Sequence, residues 1–261
     1  TVGYLDQHAV LTKGKTIRDI LRTAFQVMFD WEAEMLGIYD RMGEAEPDEL
    51  DKMMADVGEL QDLLDHSGFY MLDAKIEEVA NGLGLGDIGL DRDVSDLSGG
   101  QRTKVLLTKL LLQNPTILIL DEPTNYLDVE HIEWLKRYLV NYENSFILVS
   151  HDIPFLNEVV NVIYKIENTV LTRYTGNYEQ FQQLYAIKKN QENRAYERQQ
   201  QEVERLEDFI ARNKARVATR GMANSRQKWL DKMEVAEKPR EKPKPTFQFR
   251  EARTPGRVIV E

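Results

Sequence analysis

Cysteine is absent from the 261 residues, which excludes a disulfide framework and any thiolate metal site. No apolar run reaches the roughly twenty residues needed to cross a bilayer, and the first residues do not resemble a secretory leader. The expectation is therefore a cytoplasmic, soluble protein. Histidine is scarce as well: His8, His66, His131 and His151 are too scattered to offer metal-ligand spacing. A phosphate loop is also missing. Gly14-Lys15-Thr16 has the right ending, but Ala9 stands where the first glycine should be and no strand feeds the loop.

Charge is present but unevenly placed. Tyr185 to Arg250 holds 17 Lys/Arg against 10 Asp/Glu, whereas Thr1 to Leu184 holds 15 against 32. An acidic body with a basic appendage suggests a polyanion as the appendage's partner, and a solvated charged helix pair fits the same composition. The 42% hydrophobic composition suffices for a globular core plus one further unit.

The most informative stretch runs from Leu97 to Asp128. Gly99 and Gly100 leave backbone N–H groups accessible at the start of a helix, a ready anion site, and Ser98 adds a hydroxyl. The helix from about Gln101 to Gln113 is too apolar for a solvent helix, and Asn114-Pro115 stops it. Ile117 to Leu120 reads as a parallel strand covered on both faces, delivering Asp121 and Glu122 at its carboxyl end, where open parallel sheets bind ligands. Phe146 to Val149 repeats the pattern and delivers Ser150-His151-Asp152.

In this order these residues resemble the nucleotide-binding domain of the ATP-binding cassette superfamily. The resemblance makes Leu97 to Gln101 the signature motif and ends Walker B at Asp121 with Glu122 behind it. Leu127-Asp128 becomes the D-loop, His151 the switch histidine, and Gln7 after the short strand Val2 to Leu5 the Q-loop glutamine. It implies that Asp121 and Gln7 organise Mg²⁺, that Glu122 polarises the attacking water and that His151 holds the γ-phosphate. Ser98, Gly99, Gly100 and Gln101 would serve an ATP held by a second cassette. In the superfamily the phosphate loop precedes the glutamine, so the 261 residues are expected to be a fragment without it.

Between the glutamine and the signature, Ile17 to Met42 carries a three-four apolar seam predicting one long helix, and Leu50 to Leu64 repeats it after Gly43 to Pro47. Two antiparallel helices should form an arm within residues 17–75. Ile76 to Leu85 predicts another helix with a loose glycine-rich end, Gly82 to Gly86. After Asp128 a helix to about Tyr142 and a hairpin turning at Glu167-Asn168-Thr169 close the domain.

From Tyr178 to about Arg216 the sequence predicts a long exposed helix, with Gly221 permitting a reversal and a return helix through Arg226 and Lys228 to a Pro-rich end at Lys238 to Pro245. Cations at the end of a rod suit phosphate contacts. This hairpin resembles the interdomain linker of the ABC-F proteins, ribosomal twin-cassette ATPases without a membrane domain. That resemblance implies tRNA and rRNA as partners of Arg212, Lys214, Arg216, Arg220, Arg226 and Lys228. Tyr126 stands where many members carry His.

The expected architecture is α/β: residues 1–184 a partial nucleotide-binding domain with a parallel sheet, helical subdomain and arm, 185–245 a charged helical hairpin, and 246–261 the start of a second cassette. The fragment alone is expected to be inactive and prone to self-association through an uncovered sheet edge. The competing class is the ATP-binding subunit of a membrane transporter.

Overall fold

The computed structural model describes residues 1–5, 11–43, 45–215 and 218–233. Gln7, Arg216, the Pro-rich stretch 238–245 and the expected second-cassette start at 246–261 lie outside these residues. The described chain divides into two compact units, Thr1–Phe181 and Gln182 onward.

In the first unit, strand β1 (Val2–Tyr4) pairs in parallel with β2 (Ile117–Asp121), which pairs in parallel with β3 (Ser145–Val149). Strand order is β1-β2-β3. Helices α1 (Ile17–Arg22), α4 (Leu72–Gly82), α5 (Gly99–Leu112), α6 (Val129–Val140) and α7 (Ile153–Val159) supply the cover. Leu118 and Leu120 of β2 point into their core and are fully buried with Leu107, Leu111, Leu135 and Phe155. The other side of the sheet is open. Val2, Tyr4, Ile147 and Val149 are 67%, 58%, 56% and 54% exposed. The expectation of a strand covered on both faces is thus corrected: among the described residues the helices pack on one face, and an apolar run by itself does not say how many faces are covered.

The arm comprises α2 (Gln26–Met42) and α3 (Pro47–Ser67). The single long helix expected from Ile17 to Met42 is broken by a 3₁₀ turn at Thr23–Phe25. Thr23 spends its hydroxyl on the Ile20 carbonyl at 2.6 Å, bending the chain there. The break separates two destinations. Ile17, Ile20, Leu21 and Phe25 enter the main core, whereas Met35 and Ile38 pack with Val57, Leu60 and Leu64 in a core belonging to the arm.

The glycine-rich stretch after α4 is tighter than its sequence suggests. Leu83 and Leu85 are fully buried, a side chain at Gly82 would collide with Trp134, and Gly84 (φ +76) faces the ring of His131. Only glycine combines that backbone with that approach. An antiparallel hairpin, β4 (Val162–Glu167) with β5 (Val170–Thr175), turns on Asn168 and Thr169, both at positive φ. Tyr174 then stacks edge-on against Phe181.

The second unit holds most of α8 (Tyr178–Asn213) and all of α9 (Arg220–Lys232). Gly221 lies inside the first turn of α9, so the chain does not reverse at that glycine. No described helix is long and apolar enough to cross a membrane.

Candidate functional site

Parallel pairing of β2 with β3 sets the register Asp121 opposite Val149, so the residues that follow both strands emerge side by side. Glu122 leaves β2 in the left-handed region, φ +47, its N–H still donating to the Val149 carbonyl at 2.8 Å. That turn swings the Glu122 carboxylate toward the neighbouring strand. His151 Nδ1 lies 2.7 Å from Glu122 Oε2. The His151 backbone N–H donates to the same oxygen at 3.4 Å. With the carboxylate ionised, Nδ1 is the donor and carries the proton. Glu122 is 26% exposed at the side chain and His151 77%, so the pair opens to solvent on the histidine side. Asp121, the last residue of β2, is exposed.

Asp152, next in sequence, accepts from the Phe155 N–H at 3.1 Å and caps α7. It is spent on the fold.

The start of α5 is built by a reciprocal capping box. Ser98 Oγ accepts from the Gln101 N–H at 3.3 Å, and Gln101 Oε1 accepts from the Ser98 N–H at 2.9 Å. Ser98 keeps its hydroxyl proton for a further acceptor. A 3₁₀ turn, Val94–Asp96, leads into this start and is capped by Asp93. The Ser95 hydroxyl and N–H hold the Asp93 carboxyl below the usual carboxylate range. Gly99 is exposed, and a Cβ there would meet nothing within 4 Å, so packing does not require glycine. A Cβ on Gly100 would come within 3.0 Å of the Tyr126 ring, which brings the loop after β2 against the first turn of α5.

Asp128 occupies the N-cap position of α6 but makes no capping bond. Its Oδ2 instead lies 3.8 Å from Lys104 Nζ and 3.5 Å from His131 Nδ1. The sequence pattern assigns no role to Lys104 or His131, and only the fold brings them to Asp128. Lys104 lies three residues beyond Gln101 on the helix that the Ser-Gly-Gly begins, and that spacing was the available signal.

The donor set fits a hard cation held lightly. Among the described residues no group of three or more His, Cys, Asp or Glu side chains is arranged to hold a metal. One exposed carboxylate at a strand end suits Mg²⁺, which keeps waters and takes most of its remaining ligands from phosphates.

The cation cluster of the second unit is spread out. Arg212 closes α8 in an exposed pair with Asp208 at 3.0 Å, Lys214 follows it, and Arg220 opens α9. Arg226 and Lys228 lie further along α9, and the Arg226 guanidinium sits 3.7 Å over the Phe209 ring.

A family model described as ABC transporter matches residues 1–125, and a second with the same description matches 164–249. The chain is 65% identical over 260 residues to ABC transporter ATP-binding protein YfmM of Bacillus subtilis (strain 168), covering 100% of this chain and 50% of that protein. It is 34% identical to ABC transporter F family member 5 of Arabidopsis thaliana, over 99% of this chain and 38% of that one. Against F family member 2 of the same plant identity is 32%, with 99% and 39% covered. The chain therefore spans about half, or less, of the length of these relatives. Among solved structures, an ATP-binding subunit of an ABC transporter aligns at TM-score 0.45 and 15% identity, over 71% of this chain and 62% of that one.

Proposed function

Given that this chain belongs to the ATP-binding cassette family, with F-type members among its relatives, we propose that the whole protein binds and hydrolyses ATP with Mg²⁺ and acts in the cytoplasm on the ribosome. The observation that carries the ATPase reading is the 2.7 Å contact between Glu122 and His151 at the ends of adjacent parallel strands.

Asp121, with Gln7, would hold the cation, and Glu122 would orient the attacking water through its second oxygen, Oε1. When bound, Mg²⁺ neutralises charge on the phosphate oxygens. His151 Nδ1–H fixes the Glu122 carboxylate and leaves Nε2 outermost. That outer nitrogen would meet the γ-phosphate of a bound ATP. Ser98 would present its hydroxyl, Gly99 and Gly100 their helix-start N–H groups and Gln101 its side-chain amide N–H to an ATP held by a second cassette. Asp128, turned toward Lys104 and His131, lies at the same face of α5 as Tyr126 and Gly100. Catalysis of this kind rests on positioning and charge.

The basic hairpin supports the ribosome reading, with Arg212, Lys214, Arg216, Arg220, Arg226 and Lys228 facing tRNA or rRNA. Glu122→Gln in the whole protein should lower hydrolysis at least about 100-fold and trap it, with ATP, in the ribosome fraction on sedimentation. Wild-type turnover in that variant would overturn the ATPase assignment, and absence from the ribosome fraction the translational one.

The 261 residues alone contain no phosphate loop. They should neither bind a fluorescent ATP analogue tightly nor hydrolyse ATP, and the open apolar sheet face should drive their self-association. Tight, Mg²⁺-dependent binding would contradict the first, and a strict monomer by light scattering at high concentration the second.

A further inference from the structure

Along α8, Arg198, Arg205 and Arg212 recur every seven residues. Seven residues are two helical turns less about 20°, so the three share one stripe at intervals of about 10.5 Å. Arg198 and Arg205 are exposed and form no ion pair among the described residues. Opposite them α9 contributes Arg226, steadied over Phe209, and Trp229, 49% exposed. Together with Glu202 and Leu206 these side chains line an open groove of 520 Å³ within the second unit.

Such a lining selects its occupant chemically. Three guanidiniums against one carboxylate demand an anion, and planar guanidinium forks match phosphate oxygens. A half-exposed indole beside them offers a flat apolar face, which a phosphate alone would leave unused. A duplex hides its base faces, and an acidic peptide has charge but no ring to stack. An unpaired nucleotide supplies both halves.

We propose that the groove between α8 and α9 binds an unpaired nucleotide of RNA, its phosphate held by Arg198, Arg205 and Arg226 and its base stacked on Trp229. The assignment rests on the reading of the second unit as an RNA-contacting element, and it adds a base-stacking position on the flank of the hairpin to phosphate contacts at its tip.

Fluorescence anisotropy of the 261-residue chain with a labelled single-stranded oligouridylate and with a duplex RNA of equal length tests this. Trp229→Leu keeps apolar bulk and removes the aromatic face. It should weaken the single strand roughly tenfold and change duplex affinity less than about twofold, while Trp229→Phe retains most single-strand binding. Arg198→Gln with Arg205→Gln should weaken both RNAs. Unchanged single-strand affinity in Trp229→Leu overturns the proposal, as does polyglutamate binding more tightly than oligouridylate. If Arg212→Ala with Arg220→Ala abolishes binding while the groove substitutions do nothing, RNA contact by the second unit stands and the groove assignment falls. If the chain binds neither RNA, both fall.

Discussion

Two helical hairpins occur in this chain, and they are held together by different means. In the arm, Met35 and Ile38 of α2 are buried against Val57, Leu60 and Leu64 of α3, so the pair carries its own core. Residues 26–67 bear 13 Asp/Glu against 2 Lys/Arg. Among the described residues of the second unit the buried apolar ones are Ile210 and Ala223, and residues 182–233 bear 12 Lys/Arg against 7 Asp/Glu. A hairpin with its own core tolerates one-sided charge because burial outweighs self-repulsion. A hairpin with almost none gains from a polyanion that neutralises it. The contrast separates an element held by its own core from one with little buried apolar surface and an excess of positive charge.

The sharpest way to break this contrast is to delete core atoms from each hairpin. Leu64→Ala, at a fully buried site, should cost about 2–5 kcal/mol and show in thermal unfolding. Ile210→Ala should fall at the low end of that range, about 2 kcal/mol, because among the described residues only Ala223 is buried with it in that unit. Equal losses would mean that the second hairpin has a core as demanding as the arm's.

A smaller effect sharpens the charge half of the contrast. Removing Arg212 and Arg220 should lower the slope of log affinity for single-stranded RNA against log salt by about 1.4, while Glu59→Gln on the exposed face of the arm leaves it unchanged. A slope that responds to Glu59 would place the arm in the same field as the RNA.

The smallest effect concerns where the arm joins the core. Arg22 donates to both oxygens of Asp73, at 2.6 to 3.0 Å, with both side chains about half exposed. Hydrogen bonds from Arg22 hold the Asp73 carboxyl below the usual range. The folded protein therefore loses that proton at lower pH than the unfolded chain. The stabilisation is complete above about pH 4 and fades as pH falls through the folded value. Arg22→Ala should cost under about 1 kcal/mol at pH 7 in urea unfolding, and the gap should narrow in acid.

The strand ends were legible in the sequence because Ile117 to Leu120 and Phe146 to Val149 are uninterrupted apolar runs followed at once by Asp-Glu and Ser-His. The break at Thr23 was not. The residues on either side share one spacing, and only tertiary packing decides that Leu21 and Met35 enter different cores. Gly82 and Gly84 were read as loose for a similar reason, since the side chains that press on them, Trp134 and His131, arrive from some fifty residues away. The cluster of Asp128, Lys104 and His131 needed the same distant information. The Arg198, Arg205 and Arg212 repeat is plain in the sequence, but only the packing of α9 against α8 brings Arg226 and Trp229 to the same groove as Arg198 and Arg205.

The turn at Glu122 carries one more consequence. A left-handed backbone costs an ordinary L-residue about 1–2 kcal/mol that glycine escapes, so folding alone would favour replacing this glutamate. Anyone engineering the protein for heat resistance would choose the position early, and the sturdier variant would have surrendered the one acid that meets His151.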